Sequence, residues 1–457
     1  MRYETINPAT EEIIDSYETM SQNEVLGIAR QSHAAYLEWR DCPLQERLDL
    51  VSNLAGVIRA NLEKHSRFMS IEMGKPITQS RAEVEKCALL CDVYVQKAEE
   101  WLAPERVEAD GKEHRVIFQP LGVILSIMPW NFPYWQAMRF AVPGVIAGNT
   151  SLLKHASNVP QCAFGLEELF REAGFPPNIF RTILATHEAV SGLMADVAIQ
   201  GISLTGSTGA GARIAETAGR NLKKVVLELG GSDPFIILED ADIEVVARNA
   251  VTGRMVSTGQ SCIAAKRFIV MKNIADNFTA RFSELMNDLV IGDPLDDKTD
   301  VGAIVDKKAL DELLAQLDQS VKAGAKVVTG GKRLDRKGFF LEPTVVTDTR
   351  PEMRIVSEEV FGPIAPIIVV KDEEEAIRVA NDSIFGLGGS VWTRDIDRGI
   401  RLAEQIEAGT TFINSIVKSD PRMPFGGIKR SGIGRELSKY GLREFVNIKG
   451  INIYEHR

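Results

Sequence analysis

Apolar residues recur at helical spacing over residues 21–40, where Val25, Ile28, Ala29, Ser32, Ala35, Tyr36 and Trp39 share one face. A second such face carries Leu44, Leu48, Val51, Ala55, Ile58 and Leu62, and Gly74-Lys75-Pro76 stops the pattern. A third helix covers roughly 77–100. The period then changes. "HRVIFQP" and "GVILSIM" are short β-rich runs split by Pro120-Leu121-Gly122, which reads as a turn between strands. From about 122 onward strands and helices alternate: "TSLLK", a helix over "PQCAFGLEELFREAG", "FRTIL", "AIQGISLTG", a helix from about 209, "KKVVLEL" and "PFIIL". Such alternation predicts a parallel sheet with helices on both faces. A second alternating series over roughly 265–410 predicts a second α/β domain, without a fixed repeat period. The tail "EFVNIKGINIYEHR" alternates apolar and polar residues, and a strand at a chain end calls for a pairing partner.

The length of 457 residues exceeds what one hydrophobic core supports, so two or three domains are expected. A net charge of −10 argues against a nucleic-acid or anionic-membrane partner, and an anionic substrate would need a local Arg or Lys. The polar start "MRYETINPAT" has no signal-peptide core, and "LGVILSIMPWNF" is broken by Pro129 and too short to span a bilayer. Five cysteines, Cys42, Cys87, Cys91, Cys162 and Cys262, point to a reducing cytoplasm rather than a disulfide framework. They form no zinc-like cluster with the six histidines, so no metal is expected.

Several stretches could carry chemistry. "LTGSTGAGARIAE" follows a strand and opens a helix, where a dinucleotide pyrophosphate could sit on free backbone N–H groups. Its spacing, Gly206, Gly209, Gly211, is not the strict fingerprint, and a tight strand–helix turn would look the same. Glu228, at a strand end before Leu229 and Gly230-Gly231, could bind a ribose, cap a turn, or act as a base with a raised pKa. Asn131, among aromatics and prolines in "IMPWNFPYWQAMRF", could be a turn residue or an amide donor for an oxyanion. Lys154 ends a strand, "EEVFGPIAP" could be a solvated acidic turn, and a lone Cys262 in "VSTGQSCIAAKR" could be packing or nucleophile.

Taken together, "EMGKP", "PWNFP", "TGSTGAG", "LELGGSDP", "GQSC", "EEVFGP" and "PFGGIKRSGIGRE", in that order, resemble the NAD(P)-dependent aldehyde dehydrogenase superfamily over nearly the whole chain. The resemblance implies a cofactor-binding domain over 1–100 and 122–230, a catalytic domain over 231–428, and a β oligomerisation element from 101–121 and 429–457. It implies Cys262 as nucleophile, Asn131 and the Cys262 amide as oxyanion donors, and Glu228 as the base that hydrolyses a thioester, displacing the ribose reading of Glu228. It assigns the cofactor to Trp130, Lys154, Ser157, Gly206, Ser207, Leu229, Glu359 and Phe361. Members that favour NAD often carry a glutamate where this chain has Ser157. A carboxylate there repels a 2′-phosphate, so NADP is expected as the preferred cofactor, with NAD weaker.

Arg139, eight residues after Asn131, looks like the arginine that holds the substrate carboxylate in the branch oxidising succinate semialdehyde, with Trp135, Ser261 and Ser419 beside it. The chain departs from that pattern at Val256, where some of those enzymes carry a second arginine and where Ser419 is expected to supply a substitute hydrogen bond, and at Ser232, where asparagine is commoner. No second cysteine flanks Cys262. The expectation is thus a cytoplasmic homodimer or homotetramer converting succinate semialdehyde to succinate. The rivals are a dehydrogenase of lactaldehyde or glycolaldehyde, a cofactor-independent cysteine esterase or thioesterase, and a non-catalytic protein of the same fold.

Overall fold

Ser21 starts the first long helix, Gln22–Trp39, by a reciprocal cap in which its hydroxyl accepts from the Glu24 amide and the Glu24 carboxylate accepts from its own. The buried face of that helix is Val25, Ala29, Ser32, Tyr36 and Trp39, most of the face that the spacing marks. The second predicted helix is two, Leu44–Ala60 and Leu62–Met73, broken at Asn61, and the third is Ile77–Leu102. The computed structural model that shows this describes residues 2–455.

Two large sheets organise the chain. The first runs, in spatial order, Gly432–Ile433, Lys224–Glu228, Ile199–Thr205, Val123–Met128, Thr150–His155, Phe180–Thr182. All pairings in it are parallel except that of Gly432–Ile433 with Lys224–Glu228. The second runs Lys326–Thr329, Thr344–Thr347, Ile364–Val370, Ala265–Met271, Asp233–Ile237, Gly388–Trp392, Thr410–Ile413, parallel except at Lys326–Thr329. Each sheet has its own buried core, and the strands are near-continuously apolar, as strands covered on both faces must be.

Two strand pairs that read as neighbours along the sequence separate in space. Asp233–Ile237 does not extend the first series; the chain leaves that sheet through Gly230-Gly231-Ser232 and enters the middle of the second. Likewise the turn at Pro120-Leu121-Gly122 does not join paired strands. Glu113–Pro120 pairs antiparallel with the tail strand Val446–Ile453, whereas Val123–Met128 lies inside the first sheet. The tail strand thus finds a partner within its own chain, at the edge of a three-stranded ribbon with Ile448 exposed.

The "EMGKP" stretch acquires a structural explanation. Glu72 is buried and accepts the amides of Gln161 and Cys162 at the start of helix Pro160–Glu172. Lys75 is buried in an ion pair with Glu83, whose other oxygen accepts the amides of Tyr134 and Trp135 at the start of helix Pro133–Ala147. Two buried carboxylates therefore serve as caps for helices that have none of their own, where negative charge meets the positive end of the helix dipole. Gly74 between them is left-handed, with φ +77°.

Gly302 packs against this turn. Its amide donates to Thr258 Oγ1 at 3.0 Å, and a Cβ placed on it would collide with the carbonyl oxygen of Gly74. Gly302→Ala is expected to lower the thermal midpoint, at a cost of about 1–3 kcal/mol for an overpacked contact that backbone must relieve. Calorimetry of the variant checks it; an unchanged midpoint would show that the segment can shift freely.

Candidate active site

The strands of the first sheet end where strands of the second begin, and the loops between them enclose a cavity of about 230 Å³. Strand Val123–Met128 leads into Trp130 and Asn131, strand Ile199–Thr205 into Gly206 and Ser207, and strand Lys224–Glu228 into Leu229 and Gly230. Loop residues past the carboxyl ends of parallel strands are the usual ligand site of such sheets. From the second sheet come Cys262, just before strand Ala265–Met271, and Glu359 with Phe361, just before Ile364–Val370. All of these line the one cavity.

Ser207 caps helix Thr208–Arg220, its hydroxyl accepting from the Ala210 amide at 3.3 Å, so the N-terminal end of that helix faces the cavity. Gly211 lies against Leu229, where a Cβ would come within 2.6 Å of the leucine methyls. Gly230 leaves room for Glu359, whose carboxylate accepts the Gly231 amide at 3.0 Å. Trp130 and Phe361 meet edge to face, with centroids 5.8 Å apart.

Asn131 is buried and donates from Nδ2 to the Gln260 carbonyl at 3.1 Å, while its own oxygen accepts from Gln136 at 3.1 Å. Asn131 lines the cavity, the second N–H of its amide has no acceptor in the protein, and the amide is fixed at both ends. The loop carrying Cys262 is held in an uncommon shape: Ser257 and Thr258 have φ of +52° and +57°. Buried Arg254 braces that shape by donating to the carbonyls of Gly259, Ala265, Val360 and Gly362. Lys266 reinforces it, donating at 2.7 Å to the carbonyls of both Ser261 and Cys262 and lying 3.5 Å from Glu359. Burial pushes the Cys262 thiol up to about 11, against the pull of the Arg139 and Lys266 charges.

Glu228 stands apart from the cavity lining. It is 2% exposed, neither carboxyl oxygen has a hydrogen-bond partner, and burial with the nearby Glu436 carboxyl holds its pKa well above the usual range. It caps no turn. Arg139 is 2% exposed and paired with Glu436, with Nη2 on Thr205 Oγ1 at 3.3 Å and its guanidinium over the Phe425 ring. Ser261 is buried with an unpartnered hydroxyl. Trp135 lines a separate chamber of about 440 Å³, and its indole N–H donates to Ser419 at 2.9 Å. Lys154 lines a third cavity of about 370 Å³ with Arg213 from helix Thr208–Arg220, so that helix borders both this space and the first. Ser157 is exposed in the turn after strand Thr150–His155. Among the described residues no group of three His, Cys, Asp or Glu side chains is placed to hold a metal, no helix is long and apolar enough to cross a membrane, and the five cysteines are unpaired.

The model of the aldehyde dehydrogenase family matches residues 1–451. The chain belongs to that family. It is 47% identical to a probable succinate-semialdehyde dehydrogenase [NADP(+)] of Synechocystis sp., over 99% of each chain. It is 44% identical to succinate-semialdehyde dehydrogenase [NADP(+)] 1 of Mycobacterium tuberculosis, over 98% of each. The structure of succinic semialdehyde dehydrogenase from Streptococcus pyogenes with NADP+ as cofactor superposes with a TM-score of 0.97 at 39% identity, covering 99% of this chain and 100% of that one.

Family membership and the mixed α/β fold agree with the resemblance in the sequence, but several residues of this aldehyde dehydrogenase site escaped it. Gln136 sits in the apolar run "PYWQAMRF" without a signal of its own, although it fixes Asn131. Arg254, just before the quoted Cys262 stretch, and Lys266, within it, carry no signal that sets them apart from ordinary cations, yet they bind only main-chain carbonyls and, for Lys266, Glu359. Glu436 lies in the quoted "GRE" and its pairing with a residue 297 positions away left no periodic signal.

The elevated pKa of Glu228 yields a stability prediction. A group whose folded pKa is raised contributes stability below its unfolded value, and that contribution is lost as pH rises through the folded value. Glu228→Gln removes the loss. Its thermal midpoint should equal or exceed that of the parent chain, with the advantage growing from pH 5 to pH 9. A variant that becomes relatively less stable as pH rises would mean that Glu228 is favourably ionised in the fold.

Proposed function

We propose that this aldehyde dehydrogenase oxidises succinate semialdehyde to succinate with NADP, and less well with NAD. The observation that carries the reading is the placement of Cys262, Asn131, Ser207 and Glu359 around one cavity. The named relatives support the substrate and the cofactor.

The residues fit a nicotinamide dinucleotide. The N-terminal end of helix Thr208–Arg220 suits a pyrophosphate, Glu359 beside a glycine without a Cβ suits ribose hydroxyls, and Trp130 with Phe361 suits a flat ring. Lys154 and Ser157 are the residues assigned to the adenosine side, and a 2′-phosphate finds a cation there and no carboxylate. When bound, the nicotinamide accepts the hydride that leaves the substrate carbon.

The chain's own residues do the rest. Cys262 Sγ, once deprotonated, bonds to the aldehyde carbon, and the carbonyl oxygen becomes an oxyanion. Asn131 Nδ2 and the Cys262 amide donate to that oxygen, a stabilisation of about 2.7–4 kcal/mol per donor. After oxidation the acyl group remains on sulfur as a thioester. Glu228 takes a proton from water, the resulting hydroxide adds to the acyl carbon, and the C–S bond breaks to give a carboxylic acid and the thiol. Both Cys262 and Glu228 are pushed toward their protonated forms by burial, so the turnover they support rises with pH through the neutral range. Arg139 supplies the inner positive charge toward the substrate carboxylate and balances Glu228 and Glu436. Ser261 and Trp135 complete the acyl side.

The unpaired cysteines support a cytoplasmic setting, and the exposed outer edge of Val446–Ile453 supports a homodimer, or a tetramer of dimers, joined through an element built from 101–121 and 429–457. The cofactor-binding unit is taken as 1–100 with 122–230, and the catalytic unit as 231–428.

Glu228→Gln should release a burst of reduced cofactor equal to the enzyme and then turn over about 10²–10⁴-fold slower. Stopped-flow absorbance of the reduced cofactor checks it; equal steady-state rates would remove Glu228 from hydrolysis. Ser157→Glu should shift kcat/KM from NADP toward NAD, measured with each cofactor at fixed aldehyde. Unchanged ratios would place the 2′-phosphate contact elsewhere.

A further inference from the structure

The chamber of about 440 Å³ lies beyond the turn that carries Asn131 and is walled by Phe132 and Trp135, by Val256 from the start of the Cys262 loop, and by Lys86 from helix Ile77–Leu102. Lys86 is the notable member. Its Nζ donates to Ser419 Oγ at 2.8 Å and lies 4.1 Å from the centre of the Trp135 ring. Among the described residues it forms no ion pair: Glu83, one turn back on its own helix, is taken by Lys75, and Asp420, next to Ser419, is taken by Arg422. Ser419 Oγ accepts from both Lys86 and Trp135, which leaves its own O–H without an acceptor. A mostly buried ammonium at the chamber wall thus meets the hydroxyl of buried Ser419 behind it and pairs with neither of the carboxylates, Glu83 and Asp300, that line the same chamber.

We propose that Lys86 Nζ, donating to the Ser419 hydroxyl, is a further binding residue for the substrate carboxylate and sets the preference of this enzyme for an aldehyde ending in a carboxylate. The proposal rests on the succinate-semialdehyde reading and deepens it. Arg139 is held by Glu436, whereas Lys86 has charge to offer. The two cations also repel each other: Arg139 joins burial in lowering the Lys86 pKa to about 8, while Cys87, Glu83 and Asp420 oppose that shift. A carboxylate bound beside Lys86 offsets that repulsion, which an uncharged aldehyde cannot do. The chain lacks an arginine at Val256, and Lys86 delivers a cation to the chamber that Val256 lines from a different helix.

The test compares succinate semialdehyde with butanal, at saturating NADP, for the parent enzyme, Lys86→Met, Lys86→Arg and the exposed neighbour variant Lys418→Met. In Lys86→Met the ratio of kcat/KM for succinate semialdehyde over butanal should fall about 10- to 100-fold, the range of a hydrogen bond to a charged group. The fall should sit in KM, and competitive inhibition by succinate should weaken in parallel. Lys86→Arg should restore most of the ratio, and Lys418→Met should leave it unchanged. In the parent the same ratio should fall as pH rises past about 8, where Lys86 loses its proton. Chemistry common to both substrates cancels in the ratio, and turnover of butanal reports that the variant is folded. A parent enzyme that prefers succinate semialdehyde, with a ratio unmoved in Lys86→Met, overturns the role of Lys86 alone. A parent enzyme that prefers butanal overturns the substrate reading and the role of Lys86 together.

Discussion

Arg139 sits between two carboxyl groups, Glu436 and Glu228, and none of the three is more than 4% exposed. Water cannot solvate them, so each one's charge depends on the others. Arg139 stays cationic because the acids outweigh its own burial. Glu436 has the arginine and the Ser203 hydroxyl as partners, and Glu228 has neither. One positive charge for two acids means that Glu228 is the one left to hold its proton. Removing one member of a buried ion pair costs about 3–5 kcal/mol, so the arrangement constrains the strands that carry it. Glu228 ends a strand of the first sheet, and Glu436 follows the short antiparallel strand that closes the edge of that sheet.

The same logic of charge without water shapes the loops. Arg254 and Lys266 are buried cations that spend their N–H groups on main-chain carbonyls. A carbonyl neutralises nothing, so burial drags the Arg254 pKa down to about 9 and lowers that of Lys266. What they gain is geometry. Arg254 ties the Cys262 loop to the Glu359 loop, and Lys266 ties the main chain at Cys262 to the Glu359 carboxylate. The positive φ values at Ser257 and Thr258 persist because this bracing over-determines the loop.

The regular elements were largely legible because burial imposes a period. The helix over Gln22–Trp39 shows its face in the spacing, and the alternation of strand and helix after residue 122 follows from sheets covered on both sides. What period does not encode is which sheet a strand joins. Asp233–Ile237 and Glu113–Pro120 carry apolar runs that suit either neighbour, and their placement is decided by pairings outside their own stretch: with Ala265–Met271 and Gly388–Trp392 for the first, and with the distant tail strand Val446–Ile453 for the second. The site divides the same way. Cys262, Asn131 and Glu359 were recoverable because motif order marks them, and the structure brings them to one cavity. Lys86 was not, because a lysine on a long helix reads as a solvated residue, and only the packing of Trp135 and Ser419 around it removes the solvent.

The two chambers on either side of the Asn131 turn differ in the charge they offer. The first presents a helix N-terminus, an amide and the Glu359 carboxylate, a mixture suited to a large polar ligand held at several points. The second is mostly apolar, with one cation, Lys86, that forms no ion pair among the described residues and two carboxylates, Glu83 and Asp300, at its wall. Helix Pro133–Ala147 is the partition, and its first turn is fixed from behind by Glu83, which in turn is held by Lys75. The partition therefore keeps its place whichever chamber is filled. The first chamber thus keeps its amide and its thiol in fixed positions, the preorganisation that a reaction between two bound molecules demands.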